Sequence, residues 1–421
     1  VAAGVLFAFL VFFLILRPHP GYPRSMDYTS WLGAAQMVLD GHPDWLYDLE
    51  AQKLYQGRLT GAFRTPGGAL VYNRAPFFAL LLVPLARLPF EAGYVLWLAL
   101  MLAAGGLALW LIVTRIYPAS GAARSRTLAT WLQALIVAFA FFPVFQGTLL
   151  GQTSLLELLI VVAFYLLYRR DREAAAGAVL GLASYKPHLV LFIALVLVLQ
   201  RAWRSLAAMA LVSAALVLLS LPFGGVAGLL AYADVTARVA SWNCIYGVYP
   251  ELHQSWRGLL VGLLVPRCAG PNPEITTAPA LAQADLIANV LSALTIVLTA
   301  AVWWRVRHVP RTGAVFDLAF AQTALASLLA APYVNPQDLT RLVLVAALLL
   351  RARRAAPELL PGWLHLPAVI AIGIVLGPLA TTGAARALHP LVLYMAGLWA
   401  VLTAVLLAPR AVAAWQPTAA R

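Results

Sequence analysis

The chain is 421 residues long, 62% hydrophobic and only 11% charged. Soluble domains run about 45–50% apolar and about 25% charged, so these charges are too few to clothe a water-facing surface. The net charge of +13 does not mark a nucleic-acid binder either. The basic residues fall in small groups between apolar runs, which is the pattern of membrane orientation. The fold expected is an all-α polytopic membrane protein, with residues 1–421 forming one integral membrane domain.

A spanning helix needs about 20 mostly apolar residues. Qualifying segments lie near 1–16, 92–114, 127–145, 152–168, 174–185, 187–200, 205–221, 281–304, 313–331, 338–350, 364–381 and 388–408, about twelve spans. The opening stretch Val1 to Leu16 has no basic flank before it and no small-residue cleavage site before Arg17. It reads as a retained first helix, whether or not clipped at its start, rather than a signal peptide. With that helix running in to out, the inside loops carry Arg115, Arg124 and Arg126; Arg169, Arg170 and Arg172; Arg201 and Arg204; Arg305, Arg307 and Arg311; Arg351, Arg353 and Arg354; and Arg410. Every inside loop is then basic, as the positive-inside rule demands. Most carboxylates fall on the other side.

Two long outer loops follow, 17–91 and 222–280. The first opens on Asp27 and a run whose apolar residues Trp31, Leu32, Ala35, Val38 and Leu39 recur at helical spacing, ending at Gly41. This predicts a short amphipathic helix lying in the interface plane. Asp27 at its start reads as an N-cap or as a general base held at the membrane surface, and one residue can serve both roles. Later in the loop, Ala75 to Pro89 is apolar but short and holds three prolines. It reads as a re-entrant or interfacial helix. Cys244 and Cys268 both lie in the second loop, where an oxidising face permits a disulfide without requiring one.

The polar clusters gather on the outer side. Asp48 follows Tyr47, and Tyr72, Asn73 and Arg74 precede the proline-rich helix. An Arg beside an Asn there holds a lipid phosphate or merely snorkels. Gln152 sits in Gly151-Gln152-Thr153-Ser154, one turn before Glu157, a carboxylate that needs a buried partner or a watery cavity. Lys186 stands before the helix breaker Pro187, where its ammonium must meet a cavity or an anion. His253, Gln254, Ser255 and Arg257 supply donors suited to phosphate or sugar hydroxyls. Asn335 and Asp338 form a third cluster with Arg341 behind them. There is no P-loop, no H-E-x-x-H and no Cys/His zinc spacing. Neither a metal nor another cofactor is expected.

In order and membrane side, these motifs resemble glycosyltransferase family 87. The resemblance runs through Met26-Asp27-Tyr28 with Gly41, Leu46-Tyr47-Asp48, Tyr72-Asn73-Arg74-Ala75-Pro76-Phe77, Gly151-Gln152, Gly177 and Gly181 with Lys186-Pro187, and Gln254-Ser255. It implies a GT-C-type bundle with outer-face interfacial helices in a bacterial plasma membrane. It also implies an active site on the extracytoplasmic face. Asp27 then carries over as catalytic base and Lys186 as a contact for the lipid phosphate; by their chemistry, His253, Arg257 and Arg74 are further candidate donors to the departing phosphate. Asp48, Tyr72, Asn73, Gln152, Gln254, Ser255, Asn335 and Asp338 are the expected substrate contacts. The sequence departs from the family at Ala75-Pro76, where a double proline is usual, and at His253, where Asn is common.

The expected activity is an inverting transfer of a sugar, mannose by resemblance, from a polyprenyl-phosphate donor to a glycolipid or polysaccharide hydroxyl. The apolar stretch from Phe77 to Leu88 would flank the lipid chain. Membrane lipids are the other expected partners, and nucleic acid is not one. A flippase or transporter is the alternative, but it should show internal repeats and broken helices at the midplane. An O-antigen polymerase or ligase shares an outer site but predicts no acidic helix start after the first span.

Overall fold

In the computed structural model the described residues are 27–60, 68–118, 124–239, 242, 245–249, 252–265, 278–379 and 388–408. The predicted first span and both cysteines lie outside them. Seventeen helices follow in order among the described residues: α1 (Asp27–Leu39), α2 (Leu49–Thr60), α3 (Pro76–Ala86), α4 (Phe90–Leu111), α5 (Arg124–Ala140), α6 (Phe142–Leu149), α7 (Ser154–Tyr168), α8 (Glu173–Gly181), α9 (His188–Leu199), α10 (Trp203–Leu218), α11 (Gly225–Val239), α12 (Trp256–Leu264), α13 (Ala278–Arg305), α14 (Ala314–Ala330), α15 (Leu342–Ala355), α16 (Leu366–Leu379) and α17 (Pro390–Leu407). The described residues contain no β-strand beyond an isolated bridge between Ile245 and Val248.

Three described helices are long and apolar enough to cross a membrane: Phe90–Ile116, Pro279–Arg305 and Pro390–Leu407. A fourth results if α5 and α6 count as one bent span, and shorter apolar helices such as α7, α10 and α14 fill the bundle. The outward faces carry exposed Leu211, Leu230, Leu286, Val290 and Val297. Apolar residues are tolerable in such rows where the solvent is lipid. The described residues are thus all-helical, and the protein is membrane-embedded.

Several sequence expectations are adjusted. The span expected at 127–145 is broken, because α5 and α6 meet at 80° across Phe141. Pro143 explains the break: it lacks an N–H and its ring would strike the carbonyl one turn earlier in a continuous helix. The span expected to start at 338 starts instead at Leu342, after a 3₁₀ segment Pro336–Arg341. The helix from Asp27 ends as expected, with Gly41 at a φ of 84°. The His42 N–H then reaches the Met37 carbonyl at 2.8 Å and the Gly41 N–H that of Val38 at 3.2 Å, the Schellman pattern. It does not lie on a surface, however. Tyr28 through Ala35 are all buried, because Ser30, Gly33, Ala34 and Ala35 are small enough to let α1 sit between α2 and α3.

The proline-rich helix α3 packs Phe77, Phe78, Ala79 and Leu82 inward against α1 and leaves Leu81 outward. On the other side of the bundle α8 lies against α10 at very short range. A Cβ added to Gly177 would stand 1.9 Å from the Ser205 carbonyl oxygen, and one at Gly181 2.8 Å from Val212 Cβ. These two glycines therefore set how closely the helices approach, and that approach fixes the 3₁₀ turn Leu182–Tyr185 leading to Lys186.

Candidate active site

Four segments converge on one cavity of about 260 Å³. They are the start of α1, the extended stretch 70–74, the α6–α7 turn and the Tyr185–Pro187 turn, and α11 and the loop 332–335 complete its wall. The stretch 70–74 is held by two glutamines one turn apart on α2. Gln56 exchanges hydrogen bonds with the Leu70 backbone at 2.7 and 2.9 Å, and Gln52 Oε1 accepts from the Tyr72 N–H at 2.9 Å. Tyr47 donates to the Arg74 carbonyl at 2.7 Å. The α6–α7 turn depends on Gly151, whose φ is 69° and whose added Cβ would lie 2.9 Å from Tyr28 Cβ. Only glycine meets both conditions. Trp97 Nε1 donates to its carbonyl at 2.6 Å, and the next residue, Gln152, donates its amide to Asp27 Oδ2.

Asp27 lies at the cavity wall with its carboxyl drawn above the usual carboxylate range. Burial is the main cause; the Gln152 hydrogen bond and the charges of Arg74 and Lys186 oppose it, and Asp338 adds to it. That is the condition of a base poised to take a proton rather than of a fully solvated anion.

The cations differ from each other. Lys186 Nζ donates to Glu157 at 3.0 and 3.3 Å and also to Asp338. All three residues are buried to 4% exposure or less. Thr153 Oγ1 holds Glu157 at 2.7 Å, while Asp338 and Asn335 cap each other reciprocally. Two carboxylates around one ammonium leave a negative surplus, and Arg341 offsets it from behind. Arg74 has no carboxylate of this kind among its described partners. Its guanidinium lies over the Trp31 and Tyr185 rings at 5.5 and 6.0 Å, and its Nε is buried without a partner. A buried donor left in this state beside a cavity is prepared for an anion.

Of the expected site residues, Asp27, Asn73, Arg74, Gln152, Lys186 and Asn335 line the cavity. Asp338 stands behind Lys186. Asp48 is exposed and caps α2, accepting the Ala51 N–H at 2.9 Å, and Tyr72 is buried with its hydroxyl on the Ala75 carbonyl at 3.0 Å. The 253–257 group does not reach the lining. The Gln254 N–H bonds the Val334 carbonyl at 2.7 Å, Ser255 caps α12, and Arg257 pairs with Asp285 at 2.7 Å. His253 is buried 4.4 Å from the Tyr333 ring, and burial, with Arg257 and His389 beside it, pushes its pKa down to about 3. It is a neutral ring supporting the cavity wall, not a cation. The stretch from Phe77 to Leu88 contributes nothing to the lining either.

Sequence reasoning passed over the aromatic part of the wall: Trp31, Tyr185, Tyr232, Tyr246 and Tyr333. Aromatic residues in outer loops read equally well as interface-belt residues, so only their convergence marks them.

No curated protein matches the chain. The model of glycosyltransferase family 87 matches residues 74–332, which takes in Arg74, Gln152, Lys186 and the 253–257 group and begins after Asp27. With more than half of its length matched, the chain belongs to glycosyltransferase family 87.

Proposed function

We propose that the protein is an inverting glycosyltransferase that takes a sugar, mannose first among candidates, from a polyprenyl-phosphate donor. The acceptor is a hydroxyl of a glycolipid or polysaccharide on the extracytoplasmic face of a bacterial plasma membrane, across which the chain passes about twelve times. The observation that carries this reading is that Asp27, Arg74 and Lys186 line one cavity. A hydroxyl is too weak a nucleophile until a base takes its proton, and the departing lipid phosphate gains negative charge as the glycosidic bond breaks. Asp27 is the base. Attack from its side, opposite the leaving group, inverts the anomeric centre. Arg74 meets the departing phosphate oxygen directly. Lys186, fixed by Glu157 and Asp338, supplies a positive charge that does not move during the reaction.

Leu191 lines the cavity and is also 66% exposed on the bundle surface. A polyprenyl chain can therefore lie against α9 in the bilayer while its phosphate enters the cavity. Gln152 and Asn335 provide neutral hydrogen-bonding groups for the transferred sugar. Membranes carrying the protein, incubated with a panel of polyprenyl-phosphate sugars, should form one glycosylated product with inverted configuration. Asp27→Asn should abolish it while leaving insertion intact. Transfer at the normal rate by that variant would remove Asp27 from the mechanism.

A further inference from the structure

The cavity has a charged wall and a neutral one, and the neutral wall contains a residue that its local backbone does not explain. Tyr246 has a φ of 53° and Gly247 one of 79°. The Val248 N–H closes on the Ile245 carbonyl at 2.9 Å, and the two flanking residues pair as a bridge. Two successive positive φ values in a closed hairpin turn belong to Asn-Gly or Gly-Gly, and a bulky ring in the first position is an outlier. Gly247 is used as expected, since a Cβ there would lie 2.4 Å from Leu70 Cδ2. Tyr246 is not. An outlier held by its surroundings at a site is a reason to look for function in the side chain.

The surroundings hold it firmly. The Val71 N–H donates to the Tyr246 carbonyl at 3.0 Å, tying the turn to the stretch that carries Arg74. The Trp242 ring lies 5.1 Å from the Tyr246 ring, and Lys53 Nζ lies 5.9 Å from its centroid. Tyr246 still lines the cavity. Beside it in the lining are Tyr232 and Thr236, one turn apart on α11, and Asn73. The lining residues of this wall offer aromatic faces, hydroxyls and an amide, and none of them is charged. A phosphate calls for cations and is served by Arg74 and Lys186 on the other wall. A saccharide ring calls for neutral donors and acceptors around its hydroxyls and a fixed flat surface under its C–H face.

We propose that Tyr246, with Tyr232, Thr236 and Asn73, forms the platform for the saccharide acceptor. The assignment of the ring as acceptor rather than donor rests on the transferase reading above. The donor is anchored at the charged wall, whereas the half-buried Tyr246 sits on a hairpin with a partly exposed lysine beside it.

The test uses the full chain in lipid nanodiscs with octyl α-mannoside as probe. Tyr246→Asn suits the left-handed backbone and removes the ring; Tyr246→Phe keeps the ring. Saturation-transfer NMR should show protein contact at the sugar-ring protons for the wild type and for Tyr246→Phe. For Tyr246→Asn it should show contact at the octyl chain alone. Equal ring-proton signals in the wild type and Tyr246→Asn, or their loss in Tyr246→Phe, would overturn the platform. With polyprenyl-phosphate mannose as donor, Tyr246→Asn should raise the KM for octyl mannoside about tenfold and leave the donor KM unchanged. A rise in the donor KM instead would overturn the acceptor assignment. If no donor supports transfer by the wild type, the transferase reading fails while the NMR comparison still decides the platform.

Discussion

The bundle contains two buried ionic clusters at opposite ends of the same helices, and they are built differently. Glu157 and Tyr165 share α7, about 12 Å apart along its axis. Asp338 lies just before α15, and Arg351 lies on it. At the Lys186 end, charges surround a cavity, and Arg74 Nε, Arg341 Nε and Gln152 Oε1 are buried without partners. At the other end, Asp317 takes hydrogen bonds from Tyr165 and from Arg351 at 2.8 Å, and Arg169 approaches it to 3.5 Å. The spare guanidinium groups there go to the carbonyls of Ile116, Arg311 and Thr312. No buried polar atom of Asp317, Arg169 or Arg351 lacks a partner. Burial and charge alone therefore do not distinguish the two ends. Unmet hydrogen-bonding capacity beside the cavity does.

That contrast is open to direct attack by mutation. Asp27→Asn should lower the rate of transfer by about 10²–10⁴-fold, the range of a lost general base. It should not lower the melting temperature. The folded protein holds the Asp27 proton more tightly than the unfolded chain does, so ionising it as pH rises costs stability, and a neutral isostere escapes that cost. Asp317→Asn should do the reverse, since it strands two guanidinium groups. A loss of about 3–5 kcal/mol, read as a fall in melting temperature in detergent, is expected with an unchanged rate per folded molecule. Should Asp317→Asn impair chemistry in protein that remains folded, the division between the two clusters fails. Gly177→Ala is the mildest of the three. Its methyl must displace the Ser205 backbone, at about 1–3 kcal/mol in stability, and any effect on activity should run through the position of Lys186.

What the sequence made legible follows from which signals are local. The apolar runs near 92–114, 281–304 and 388–408 each became a long helix, because hydrophobicity and length belong to the segment itself. Gly41 was readable as a helix stop for the same reason. Phe141 as a break was less so, since Pro143 could equally have kinked a continuous span. Lys186 and Glu157 each announced a need for a partner, and they satisfy one another together with Asp338, but nothing in either segment named the pairing. His253 shows the opposite failure. Its neighbours in sequence are polar, so it read as a phosphate ligand, whereas the fold buries it behind Tyr333 and keeps it neutral. Gln52 and Gln56 gave no sign at all, because a glutamine that clamps a distant backbone looks like any surface glutamine until the chain is folded.

The relation between Asp27 and the unpaired cation facing it is best measured by the pH dependence of transfer in the wild type and in Arg74→Gln. A base at Asp27 would act in its ionised form, and the positive charge of Arg74 opposes the rise that burial imposes on the Asp27 carboxyl. Removing that charge should push the carboxyl higher still and move the acidic limb of the profile to higher pH, with a lower plateau rate. An acidic limb that stays in place, or moves to lower pH, would contradict a shared cavity in which Arg74 and Asp27 face the same substrate.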